Sequence, residues 1–197
     1  MDLATLQTQQ TFLVRQKITA FVNRYVISVP AADGSEGALA AFVEQKRLAF
    51  REEVTFFADE AKTQPMFRFK ARQVLDIGAS YDVTGTDGSA IGLFRKDFKK
   101  SLLRSTWHLE QPSAGLAAVG RERNAFVAVL RRVWSIAEDF PFPFKYHFDF
   151  AAAERPIMSV DKTTLIRDNY RVEIQEPTLD RRLAIAMAVA LDALQSR

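Results

Sequence analysis

The side chains able to do chemistry are few in this 197-residue chain, and they are scattered. It has two histidines, His108 and His147, and no cysteine. A zinc-type site needs a compact set of imidazole, thiolate or carboxylate ligands. Here the histidines are 39 positions apart, with no carboxylates at ligand spacing beside them. Serine, histidine and aspartate all occur, but no Gly-x-Ser-x-Gly elbow presents a nucleophile. Gly85, Gly88 and Gly92 flank a hairpin signal instead of joining a strand to a helix, so they do not make a phosphate-cradling loop. Glu173, Glu176 and Asp180 do not follow the spacing of a calcium-binding EF-hand loop. The expectation is a protein that is not an enzyme, with no catalytic residue, metal ligand or cofactor site.

Two basic features suit binding better than catalysis. Arg68, Lys70 and Arg72 alternate along "MFRFKAR" and fall on one strand face. With Arg95, Lys96, Lys99, Lys100 and Arg104 they could hold phosphate or lipid headgroups. The competing reading is a solvated wall, where long cationic side chains are common. The second feature is "RERNAFVAVLRRVWSIAE", Arg121 to Glu138. Phe126, Val129, Leu130, Val133, Trp134 and Ala137 recur at helical spacing, with Arg123, Arg131 and Arg132 off that stripe. Phe140, Phe142 and Phe144 follow in "FPFPF". A basic amphipathic helix beside an aromatic loop can rest on an anionic membrane or meet a protein partner. It can equally pack on its own domain while the loop plugs one end. A net charge of +3 is too small to argue for nucleic acid.

The elements that would position these groups are mostly strands. "TFLVRQKI" sets Phe12, Val14 and Gln16 against Leu13, Arg15 and Lys17. "MFRFKAR" sets Phe67, Phe69 and Ala71 against its basic row, and "LLRSTWHLE" alternates in the same way. Such period-two patterns fit antiparallel strands with one wet face. Asp33-Gly34 and Asp87-Gly88 suit tight turns. A strand–turn–strand scheme ending in lysine recurs at Lys46, Lys96 and Lys162, and in the third unit Glu154-Arg155-Pro156 replaces Asp-Gly. The count is about twelve strands, interrupted by a helix over about 121–138.

The chain ends in "LDRRLAIAMAVALDALQSR", which has no polar side chain between Leu183 and Leu191. Its alanine, leucine and methionine favour a helix over about 179–195, about 26 Å long. A helix apolar on every side belongs inside something. The apolar run is too short to span a bilayer. Barrels near eight strands fill with side chains, whereas larger ones can house a helix. The predicted fold is therefore mainly β, an antiparallel barrel of about twelve strands enclosing a hydrophobic C-terminal helix. Leu183, Ile185, Met187, Val189 and Leu191 should all be buried, although they point in different directions. Residues 1–10 are expected as a flexible lead without the features of a signal peptide, and 11–197 as a single domain. The absence of cysteine fits a cytoplasmic protein, with peripheral attachment to a membrane as the variant if it binds lipid.

The repeated meanders, Gln16-Lys17 and Gln45-Lys46 at strand ends, and "RDNYRVEIQEPTLDRRLAIAMAVALDAL" carry a resemblance. The chain resembles the LURP-one-related family of the tubby C-terminal-like superfamily, which includes the phospholipid scramblases. The most specific part is Asp168-Asn169-Tyr170, a short strand, Pro177, Asp180, and the apolar helix closing with Leu191-Asp192. The similarity runs from about Thr11 onward. It implies a twelve-stranded barrel around a buried C-terminal helix, a non-enzymatic role, and anionic phospholipid as the ligand class. A scramblase-like activity would require that helix to enter a bilayer. The scramblase branch has a calcium-responsive acidic segment in this region, where this chain instead mixes few acids with Arg171, Arg181 and Arg182. The inserted helix and "FPFPF" have no role implied by the resemblance.

Overall fold

The computed structural model describes residues 1–18, 22–46, 53–72, 80–97, 106–123, 147–164 and 169–195. Twelve strands run in chain order: β1 (Thr11–Ile18), β2 (Val22–Pro30), β3 (Glu36–Lys46), β4 (Glu53–Phe57), β5 (Pro65–Ala71), β6 (Ser80–Gly85), β7 (Ala90–Lys96), β8 (Thr106–Gln111), β9 (Leu116–Glu122), β10 (His147–Ala152), β11 (Arg155–Lys162) and β12 (Asn169–Ile174). Each pairs antiparallel with its neighbour in sequence, and β1 pairs with β12 to close the barrel. Closure satisfies the backbone groups that an open sheet would leave at its edges.

Alternation fixes the two faces. Along β5, Phe67, Phe69 and Ala71 are buried while Arg68 and Lys70 are exposed. The buried faces of neighbouring strands meet as an aromatic series. Phe56 stacks on Phe67 with ring centroids 4.3 Å apart, Phe69 meets Phe94 edge-on at 5.3 Å, and Tyr81 stacks on Phe94 at 5.3 Å. Offset and edge-to-face pairs of this kind add to the burial of the rings themselves.

The turns follow local chemistry. Gly34 and Gly88 take φ values of +81° and +82°, a region that costs glycine little. The third hairpin turns at Ala153 and Glu154, with φ of 47° and 70°, and Arg155 and Pro156 already belong to β11. The turn thus sits one residue earlier than the expected Glu154-Arg155-Pro156.

Two α-helices and a short 3-10 turn at Pro112–Ala114 complete the described structure. The C-terminal helix, here α2, spans Arg181–Gln195, two residues shorter at its start than the expected 179–195. Every residue from Leu183 to Leu191 has zero exposure, including Leu183, Ile185, Met187, Val189 and Leu191. It packs against β1 and β12 and also against β5, β6 and β7. The other helix, α1 (Leu3–Thr8), lies within the segment expected as a flexible lead. Asp2 caps it by accepting from the Thr5 amide at 2.8 Å, and Leu6 is fully buried. The inserted helix is corrected at its start: Arg121 and Glu122 continue β9, paired with Asp149 and Phe148 of β10. Arg123 is bonded to Asp149, and the rest of that segment from residue 124 on, with Arg131, Arg132, Phe140, Phe142 and Phe144, lies outside the described residues.

Candidate functional site

The basic row on β5 is where the sequence places it, on the outer face of the barrel. The side chains of Arg68, Lys70 and Arg72 are 48%, 66% and 54% exposed. Register across the sheet supplies counterions. Glu53 on β4 lies opposite Lys70, and Asp82 on β6 flanks Lys70 from the other side. Glu53 Oε1 accepts from Arg68 Nη1 at 3.3 Å, and its Oε2 lies 3.9 Å from Lys70 Nζ. Arg72 grips Asp82 with Nε and Nη2, at 2.8 Å for each shortest contact, and this pairing raises the Arg72 pKa. Two carboxylates against three cations leave the row one net positive charge. Exposed pairs of this kind are worth about 0–1 kcal/mol each, so an incoming phosphate can exchange for a carboxylate at little cost. Arg95 is half-exposed near Glu110 at 3.9 Å, and Lys96 Nζ lies 5.8 Å from the centre of the Trp107 ring. Lys99, Lys100 and Arg104 lie outside the described residues.

The histidines stay apart. His108 on β8 meets Asp97 at 3.3 Å, and His147 at the start of β10 meets Asp161 at 2.6 Å, with β9 between the two strands. Among the described residues, no group of three or more histidine and carboxylate side chains could hold a metal ion.

Two polar constellations hold the ends of α2, and sequence reasoning missed both. At its C-terminal end, Asp192 is 7% exposed, and its oxygens accept from two phenols. Tyr25 on β2 donates to Oδ2 at 2.7 Å, and Tyr170 on β12 donates to Oδ1. Gln16 on β1, between those strands, donates to the Tyr25 oxygen at 3.0 Å. Charge-assisted bonds from these two neutral donors offset part of the cost of burying the carboxylate.

At its N-terminal end, two carboxamides cap the helix from elsewhere in the chain. Gln111 on β8 accepts from the Asp180 amide at 2.8 Å and donates to the Thr178 carbonyl at 3.0 Å. Gln7 on α1 accepts from the Arg181 amide at 3.0 Å and donates to Asp180 Oδ1 at 2.8 Å. Asp180 also takes both Nε and Nη2 of Arg182, at 3.0 and 2.7 Å. Burial alone would raise the Asp180 pKa; the bonds from Arg182 and Gln7 outweigh it and hold the pKa below the usual carboxylate value. Arg181, 4% exposed, donates to the carbonyls of Gln9, Pro177 and Leu179, and desolvation pushes its pKa down.

A closed antiparallel barrel of twelve strands and a C-terminal helix with an unbroken apolar middle characterise the chain. The model of the LURP-one-related family matches residues 39–192, and the chain belongs to that family. The matched segment ends at Asp192, the residue gripped by Tyr25 and Tyr170. No curated protein and no solved structure matches the chain.

Proposed function

We propose that this chain is a non-enzymatic tubby-like binding domain that meets anionic phospholipid at a membrane surface through the outer face of β5. The observation that carries the reading is the exposed row of Arg68, Lys70 and Arg72, whose acidic partners are themselves at the surface. Each lysine or arginine near an anionic bilayer contributes about 1 kcal/mol. Cosedimentation with phosphatidylserine-containing vesicles tests it. The full-length chain should bind at low salt and release at moderate salt, because the attraction is screened. The variant carrying Arg68→Ala, Lys70→Ala and Arg72→Ala should lose most of that binding. Failure of the unaltered chain to bind at low salt would overturn the reading.

The same proposal gives α2 a fixed place within the barrel. In the ring, β1 and β12 lie diametrically opposite β5, β6 and β7, and α2 packs against both arcs. A helix touching opposite arcs of a closed ring runs between them. Its zero exposure over nine successive residues agrees. This speaks against a scramblase-like cycle in which α2 enters a bilayer, as does the finding that no described helix is long and apolar enough to cross one. The protein-interaction alternative, through the inserted segment and "FPFPF", rests on residues outside those described.

A further inference from the structure

Residues 1–10 hold the start of α2 but have little that holds them together. A six-residue helix is too short to persist on its own, because nucleation costs more than one turn returns. Within α1, Asp2 caps the Thr5 amide and the Thr8 hydroxyl returns to the Thr5 carbonyl. The contacts that fix the segment to the barrel are few and localised. Leu6 is fully buried in the core cluster, with Met1 partly packed beside it. The Gln7 carboxamide bridges the Arg181 amide and Asp180. The Gln9 carbonyl accepts from Arg181 Nε at 2.8 Å, and the Gln10 carbonyl accepts from the Ile174 amide at the end of β12 at 2.9 Å. Leu3, on the outer side, is 44% exposed, so one leucine of the two anchors the helix.

The second carboxamide at this same end is held differently. Gln111 does the same work for the Asp180 amide, but it stands on β8, which is paired along its length with β7 and β9. It cannot leave without breaking the wall. Gln7 can leave with α1 alone, hinging at Gln9 and Gln10 ahead of β1.

We propose that residues 1–10 are a releasable strap that latches the N-terminal end of α2 through Leu6, Gln7 and the Gln9 carbonyl. Release of the strap uncaps the Arg181 amide, frees the Arg181 guanidinium from one of its carbonyls and uncovers the Leu6 socket. The Tyr25–Asp192–Tyr170 grip holds the far end of the helix throughout. A partner that captured residues 1–10 would thereby loosen one end of α2 without unfolding the barrel.

Native-state hydrogen exchange on the full-length chain, followed residue by residue, tests this. In the unaltered protein, the α1 amides and the Arg181 amide should exchange together, at least tenfold faster than Ala186 to Ala190, which open only with the whole molecule. Gln7→Ala should speed the first group by about a further tenfold and leave the second unchanged. Gln111→Ala should instead speed exchange of both groups, because it weakens the wall. The proposal is overturned if α1 in the unaltered protein exchanges no faster than Ala186 to Ala190. It is also overturned if α1 opens while the Arg181 amide stays protected. The first measurement needs no variant, so a poorly folding Gln7→Ala chain would not leave the question open.

Discussion

Asp192 is a carboxylate taken almost out of water, and two tyrosine hydroxyls, one on each oxygen, offset part of that cost. Removing one donor leaves the other in place: Tyr170→Phe should lower stability by about 1–2 kcal/mol in urea unfolding. Asp192→Ala removes an acceptor from both buried hydroxyls and should cost more, about 2–4 kcal/mol. Glu53 acts in the opposite sense for binding. It faces both Arg68 and Lys70, so Glu53→Gln should strengthen vesicle cosedimentation by about fivefold, the effect of one unmasked charge at the surface. If the unaltered chain binds and Glu53→Gln binds no better, Glu53 is not a competing counterion. Asp180 supplies a pH dependence. Its folded pKa lies below its ordinary 3.8, so its contribution is complete above that value and is lost as pH falls through the folded pKa. Urea midpoints should therefore drop as pH is lowered below about 4, and Asp180→Asn should flatten part of that drop. None of these pairings was legible in the sequence. Tyr25 and Asp192 are 167 positions apart, and the register that puts Glu53 beside Arg68 depends on where each strand begins.

Among the elements, those with a strong period were legible and those held by remote partners were not. The alternation of Phe67 and Phe69 with Arg68 and Lys70 specified β5 and its faces, because a strand with one wet face repeats every two residues. The unbroken apolarity of Leu183 to Leu191 specified a helix with no wet side. By contrast, α1 has only Leu6 to bury and takes its stability from Asp180 and Arg181, so its own residues read as a lead. Arg121 and Glu122 match a helical pattern but are claimed by pairing with β10, where the ladder outweighs local propensity. The fit of α2 against the wall is tight at Gly92. A Cβ there would lie 2.6 Å from the Glu110 carbonyl oxygen and 2.7 Å from a Leu183 methyl. The backbone oxygen cannot swing aside, so Gly92→Ala should cost about 1–3 kcal/mol in thermal or urea unfolding.

At the scale of the whole molecule, the described surface is polar and the interior is nearly saturated with aromatic and aliphatic side chains. Leu3 is the large apolar side chain left exposed among the described residues. In the proposed function, binding falls to charge on the outer wall while α2 stays held by the strands it packs against. The chain, on that proposal, meets anionic membranes while α2 stays in place. The natural sequence has no cysteine, so a single thiol introduced by Ala188→Cys reports on the helix alone. Ala188 has zero exposure, and the change adds one sulfur atom. Its reaction with a maleimide should be followed in free protein and in protein bound to phosphatidylserine-containing vesicles. The thiol should stay protected in both states and react at full rate only in denaturant. Rapid labelling of the native free protein would contradict the placement of α2, and loss of protection on vesicle binding would show that the helix leaves the barrel.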